Sequence, residues 1–288
     1  MTRQSEVAPL RRVLLKHARD AFAGEGSIHA QWEALGYLSP PDYDRACRES
    51  DALGALLEKL GVTVAWAPPG DTGLDSIYVR DAAVVSDRGT LSARMGKAAR
   101  GAEPEALAVA LSDLGVPALG AIEAPGCLEG GDVVWLDAHT LAVGRGYRTN
   151  REGIRQLRAH LGPAIEVWVV PLPHWKGPDD VFHLMSMLSP LDDDLALVHS
   201  PLLPVPFRER LLEKGTRLVE VPPEEFESMG CNVLAVAPRV AVALEGNPET
   251  RRRMEAAGVE VHAYAGAEIS GKGRGGPTCL ARTLERVD

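Results

Sequence analysis

Nowhere in this sequence do eighteen apolar residues run together, so it offers no candidate for a membrane-spanning helix. Cysteine is scarce. The four present, at positions 47, 127, 231 and 279, are too far apart for a C-x-x-C pair or a tight Cys/His cluster, which argues against a structural zinc and for free thiols. Basic blocks are missing as well: 31 Lys and Arg face 40 Asp and Glu, and the net charge of −9 argues against nucleic acid or an anionic membrane as partner. A cationic small molecule suits that balance. The opening "MTRQSEVAPLRRVLLKHARD" is broken by charge too often for a secretory signal, so a cytoplasmic location is expected. With 45% hydrophobic residues in 288, the chain can bury a large core, and one domain spanning 1–288 is expected.

What the chain does have is a conspicuous loop near its end, "GRGGPTCLAR", residues 273–282. Glycines allow close approach to the main chain and proline fixes φ, so the loop holds Cys279 in a shaped backbone. Placement for chemistry and burial as a small hydrophobe opening a last strand both fit that fragment.

A repeat organises the rest. Helical periodicity is read at about 41–60, 103–114, 151–161, 204–214 and 248–257, each followed by a short β-rich run such as "VTVAWA", "AIEVWVV" or "VEVHAY". Two more short runs follow in most units, for instance "CNVLAVA" with "VAVAL". The fifth unit runs out of sequence after Cys279, and "RRVLLKH" near the N-terminus is the spare strand that completes it. Closure of such repeats removes exposed sheet edges and predicts a five-bladed α/β propeller.

The repeat puts polar residues in register. Asp81, Glu129, His183, Asn232 and Cys279 each stand at or near the start of the middle strand of a unit, separated by 48, 54, 49 and 47 residues. Singly they pass as turn residues, a solvated acid and a core histidine. In a closed ring they converge on the axis and share one pocket.

At these residues the chain resembles the guanidino-group-modifying superfamily of arginine deiminases, dimethylarginine dimethylaminohydrolases and amidinotransferases. The resemblance runs from about Asp75 to Leu284 on six ordered motifs: "VRDAAVV", "LEGGD", "GYRTNREG", "FHLMS", "GNPET" and "GRGGPTC". It implies the same five-bladed α/β propeller, the pentein fold, and a set of roles. Cys279 is the implied nucleophile, His183 the acid/base, Glu129 its orienting carboxylate and Asp81 the grip on the guanidinium. Arg148 and Arg94 are the implied partners of a substrate carboxylate, and Asp75 the implied acid for an amino group. Asn232 and Asp132 complete the expected substrate-binding set. The implied reaction cleaves a guanidino C–N bond of arginine or an Nω-substituted arginine, giving citrulline and ammonia or an alkylamine through a thiouronium on cysteine, with no metal or organic cofactor. An amidinotransferase passing the amidino group to an amine, or a non-catalytic binder of arginine-like ligands, are the alternatives; homo-oligomerisation is left open.

Two departures bear on substrate choice. Arginine deiminases carry an aspartate two residues after the histidine, where this chain has Met185, and the dimethylarginine enzymes have Glu-Asp where it has Arg80-Asp81. Met185 beside the guanidinium would favour an Nω-alkylated substrate needing apolar contact. Residues 28–44, "IHAQWEALGYLSPPDYD", read either as a lid over the pocket or as a loop leading into the first helix.

Overall fold

A computed structural model describes residues 4–178, 180 and 182–287. The five periodic segments are helices, at Tyr43–Lys59, Glu103–Asp113, Arg151–Leu161, Val205–Glu213 and Pro248–Ala256. Their ends follow from local chemistry. Asp42 accepts a hydrogen bond from Arg45 N–H at the start of the first, and Asn150 accepts from Gly153 N–H at the start of the third. The third helix then buries Ile154, Leu157 and Leu161, the stripe its spacing dictates.

Among the described residues fifteen short strands form five three-stranded sheets. In chain order they are β1 (Leu10–Leu15), β2 (Thr63–Trp66), β3 (Ala83–Ser86), β4 (Gly89–Ser92), β5 (Ala118–Ala121), β6 (Val133–Trp135), β7 (Thr140–Arg145), β8 (Glu166–Pro171), β9 (Leu188–Asp192), β10 (Leu195–Val198), β11 (Arg217–Glu220), β12 (Leu234–Ala237), β13 (Val240–Leu244), β14 (Glu260–Tyr264) and β15 (Arg282–Arg286). The sheets run β3-β4-β5, β6-β7-β8, β9-β10-β11, β12-β13-β14 and β15-β1-β2. In each, the first strand pairs antiparallel with the second and the second parallel with the third, the parallel step being the one that carries the helix. The N-terminal strand fills the gap in the fifth sheet, antiparallel to β15 and parallel to β2, as the sequence predicts.

Each blade straddles two sequence units. The strand following a helix pairs with the last strand of the unit before it, so the "middle strand" of a unit is the first, innermost strand of a sheet. Inner strands of adjacent blades touch, β9 with β12 and β15 with β3. The five polar residues therefore precede inner strands. Residues 28–44 are not simply a connector: Glu25–Leu35 is helical, and the following turn is held to the Cys279 loop by Leu38 N–H on Lys272 O and by Lys272 Nζ on Pro40 O, both at 2.9 Å.

Leu14 of β1 is fully buried with Ala67, Val79, Ala82, Ala83 and Leu107, so the strand that completes one blade also packs against the next. Leu14→Ala should cost about 2–5 kcal/mol, the usual range for a leucine cavity. Urea unfolding measures it; a loss under ~1 kcal/mol would mean that the first blade does not rely on this contact.

Candidate active site

The loop around Cys279 is shaped by what lies behind it. A Cβ on Gly275 would stand 2.3 Å from the Tyr78 ring, and one on Gly276 2.6 Å from Asn232 Oδ1, so both positions exclude a side chain. Pro277–Leu280 then makes one helical turn, with Cys279 N–H on Gly276 O at 3.0 Å. Asn232, from the blade next door, clamps the turn by accepting from Thr278 N–H at 3.1 Å and donating to Cys279 Sγ at 3.1 Å. Burial, and then the Asp81 carboxylate, push this thiol up to about 12, with the Asn232 donor opposing them. At neutral pH the resting sulfur is a thiol.

Glu129 is wholly buried, yet four donors serve it: His183 Nε2 at 2.7 Å, Gly96 N–H at 2.9 Å, Lys97 N–H at 3.3 Å and Arg148 Nη1 at 3.3 Å. Burial alone would raise its pKa; the hydrogen bond and charge of His183, with Arg148 and Arg100, hold it well below the usual carboxylate range. Burial likewise works against the charge of His183, but Asp81, Asp132 and Glu129 lift its pKa to about 9. The pair is an imidazolium on a carboxylate. His183 Nδ1 faces Asp81 Oδ1 at 3.8 Å.

Asp81 is held in turn. Gly131 N–H meets Oδ1 at 3.1 Å, and Arg100, a buried residue that sequence reasoning missed, reaches Oδ2 at 2.6 Å. Arg100 also pairs with Glu103 at 2.7 Å, and burial carries Glu103 up to about 7 despite that partner. The one local signal was the i,i+3 spacing of Arg100 and Glu103 within "ARGAE".

The remaining candidates divide. Asp75 is buried and paired with Lys97 Nζ at 2.7 Å, and Asp132 is buried beneath His183, accepting from Leu184 N–H at 3.0 Å. Burial raises Asp132 to about 6. Arg148 stands behind Glu129. Arg94 is exposed, its guanidinium on Gly126 O and Cys127 Sγ at 3.1 and 3.3 Å, away from this cluster. Met185 departs from the expected place beside the guanidinium: it packs in the core with Val134, Ala142, Leu184 and Leu188. Leu184–Ser186 is a 3₁₀ turn, in which residues three apart eclipse, so Ser186 shares the His183 face and Met185 turns inward. Arg80 also points away, to Glu6 at 2.7 Å.

His183, Ser186, Asn232 and Cys279 form the floor of a cavity whose walls carry Trp175, Phe182, Phe226 and Met229. Asp81, Glu129 and His183 each present a ligand atom within 4.8 Å of the others, a spacing that could hold a metal ion, though those atoms are already engaged as described.

A five-bladed α/β propeller with a thiol, an imidazolium and buried carboxylates at its axis is the architecture of the guanidino-group-modifying superfamily. The family model for arginine deiminase matches residues 76–205 and 202–286. A dimethylarginine dimethylaminohydrolase from Streptomyces coelicolor is 33% identical over 198 residues, 69% of this chain and 72% of the relative. The chain belongs to the arginine deiminase family. Among solved structures, a mutant dimethylarginine dimethylaminohydrolase from Pseudomonas aeruginosa complexed with citrulline superposes with a TM-score of 0.77 at 23% identity, covering 97% of this chain and all of that one. An amidinotransferase from Microseira wollei superposes at 0.81 with 16% identity, covering 100% and 97%. These last two likenesses carry the fold.

Two outcomes follow from the geometry. A Cβ on Gly131 would fall 2.5 Å from His183 Nδ1 and 2.7 Å from Asp81 Oδ1, so Gly131→Ala should force the two apart. We expect any activity to fall at least ~100-fold with circular dichroism unchanged, a misplacement effect; retained activity would mean that this spacing is not critical. For the thiol, alkylation of free enzyme by neutral iodoacetamide, with Cys279→Ser as blank, should speed up by close to tenfold per pH unit from 7 to 10. A plateau near pH 7 would contradict the raised pKa.

Proposed function

We propose that the protein hydrolyses a guanidino C–N bond of arginine or an Nω-substituted arginine, releasing citrulline and ammonia or an alkylamine. The observation that carries this reading is the presence of Cys279 and His183 on one cavity floor, with Glu129 at 2.7 Å behind the histidine and Asp81 at 3.8 Å beside it. Membership of the arginine deiminase family supports it.

In this reading the substrate guanidinium enters against Asp81, whose carboxylate accepts its N–H groups while the central carbon faces the sulfur. The incoming cation offsets the carboxylate that raises the thiol pKa, so Cys279 loses its proton to solvent as substrate binds. The thiolate adds to the guanidinium carbon. His183, an imidazolium held by Glu129, gives its proton to the departing nitrogen, which leaves as a neutral amine. A thiouronium stays on Cys279. The now neutral His183 takes a proton from water, the hydroxyl oxygen bonds to the same carbon, and the C–S bond breaks to return the thiolate while the hydroxyl proton passes to solvent, leaving a neutral ureido product. Glu129 keeps the ring oriented, and the charges of Asp81 and Asp132 together with Glu129 hold the imidazolium at neutral pH. Arg100 and Gly131 hold Asp81 in place.

The test is a panel of guanidino compounds scored for ureido product and released amine, with and without an acceptor amine, before and after exhaustive chelation. Ureido product, chelation-resistant, lost in Cys279→Ser and accompanied by a trapped adduct on Cys279, is expected. Loss on chelation with restoration by a divalent ion would instead assign Asp81, Glu129 and His183 to a metal, and product only with an acceptor amine would make the protein an amidinotransferase.

A further inference from the structure

The wall of the cavity above Cys279 has more apolar surface than a methyl group needs. Trp175 packs edge-on against Phe226 with ring centroids 5.9 Å apart and tilts toward Phe182 at 6.5 Å. Phe226 is in turn stacked on the buried His199, at 4.0 Å and 15°. The loop before Trp175 is tied down by Tyr147 Oη on His174 Nδ1 at 2.7 Å. The result is an aromatic shell with Met229 beside it, and Trp175 keeps 39% of its surface uncovered.

The backbone is strained to build this shell. Among the described residues five other than glycine have positive φ, and three of them, Trp175 at 46°, Met229 at 67° and Arg274 at 59°, line this one cavity. Left-handed backbone at bulky residues costs free energy and tends to gather where function requires a particular shape. The rim cations are meanwhile spoken for: Lys176 pairs with Glu227 at 2.8 Å and Arg274 with Asp180 at 2.8 Å.

His183 fixes which part of a substrate the shell would meet. It lines the cavity, with Glu129 on its Nε2 at 2.7 Å and Asp81 3.8 Å from its Nδ1. The nitrogen that leaves must lie next to the group that protonates it, so whatever that nitrogen carries projects into the aromatic chamber. We infer that the protein acts on guanidines whose departing nitrogen bears a bulky apolar group, aromatic or branched, and so releases an apolar primary amine. This rests on the hydrolase reading above and narrows its substrate class. The apolar contact expected of Met185 is supplied by Trp175, Phe182, Phe226 and Met229, which gain buried area with each added carbon and stack on a ring.

The experiment compares kcat/KM for Nω-methyl-, Nω-propyl- and Nω-benzyl-arginine, following both citrulline and the free amine, in wild type and Trp175→Ala. Rates should rise along the series, with benzyl at least about tenfold above methyl, and Trp175→Ala should cut that ratio by about fivefold or more. Trp175 is a half-exposed loop side chain, and the wild-type series stands as a test without the variant. Arginine is run alongside: no product from any of the four compounds would sink the hydrolase reading itself, whereas product from arginine alone would leave that reading intact and overturn this one. Turnover of the methyl compound with benzyl equal or poorer, or a ratio unmoved by Trp175→Ala, would leave that reading intact and overturn this one.

Discussion

A carboxylate with none of its surface exposed organises the centre of this molecule. Glu129 can stay ionised there only if its oxygens are met, and its donors come from three places in the ring: the His183 imidazole, the Gly96 and Lys97 amides, and Arg148. Stripping any one of them would leave a buried charge partly unpaired, a cost of several kcal/mol in most proteins. The same requirement fixes neighbouring blades against each other, and Glu129 joins Asp81 and Asp132 in keeping His183 protonated well above the usual histidine range. Buried carboxylates thus bear on both the assembly of the axis and the acid it holds.

The pairing continues along the axis. Asp81 is matched by Arg100, Arg100 by Glu103, and Asp75 by Lys97. On the far side of the same short segment Arg80 meets Glu6, while Arg282 donates to the carbonyls of Arg80 and Ala83 at 3.2 and 2.7 Å. Arg80 N–H in turn reaches Cys279 O at 3.2 Å. The segment bearing Asp81 and the one bearing Cys279 are therefore stitched together by a main-chain bond and by a buried guanidinium. Burial lowers Arg282 to about 9, with the Arg80 charge adding to it and Glu6 and Asp81 opposing them. Networks of this kind contribute specificity of arrangement more than net stability.

Much of this was legible in the sequence because period and register are one-dimensional quantities. The five helices read from periodicity fall within two residues of their expected ends, and the spare strand near the N-terminus closes the fifth sheet. The five in-register polar residues gather at the inner strands for the same reason. What was illegible depends on turning sense and on distant partners. Met185 was expected beside the substrate by its spacing from His183, but a 3₁₀ turn sends it into the core and brings Ser186 forward. Arg94 and Arg100 occupy the same short stretch, and nothing local says that the first faces outward and the second reaches Asp81. The aromatic chamber is assembled from residues 175, 182, 226 and 229, which no periodic pattern joins.

The glycines of "GRGGPTC" are explained by crowding as much as by flexibility. Gly275 and Gly276 have ordinary backbone angles; what excludes a side chain there is the Tyr78 ring on one and the Asn232 amide on the other. The residue that does take a left-handed angle is Arg274, which a glycine would fill more cheaply. Strain is thus placed where the side chain is needed, at the cavity rim against Asp180, and glycine where the backbone must lie flat on its neighbours. The loop presses against Tyr78 and Asn232 so closely that the position of the Cys279 sulfur is set by two side chains from other blades. A thiol so held can meet a planar cation whose own position is set by Asp81, because both are referred to the same ring of inner strands.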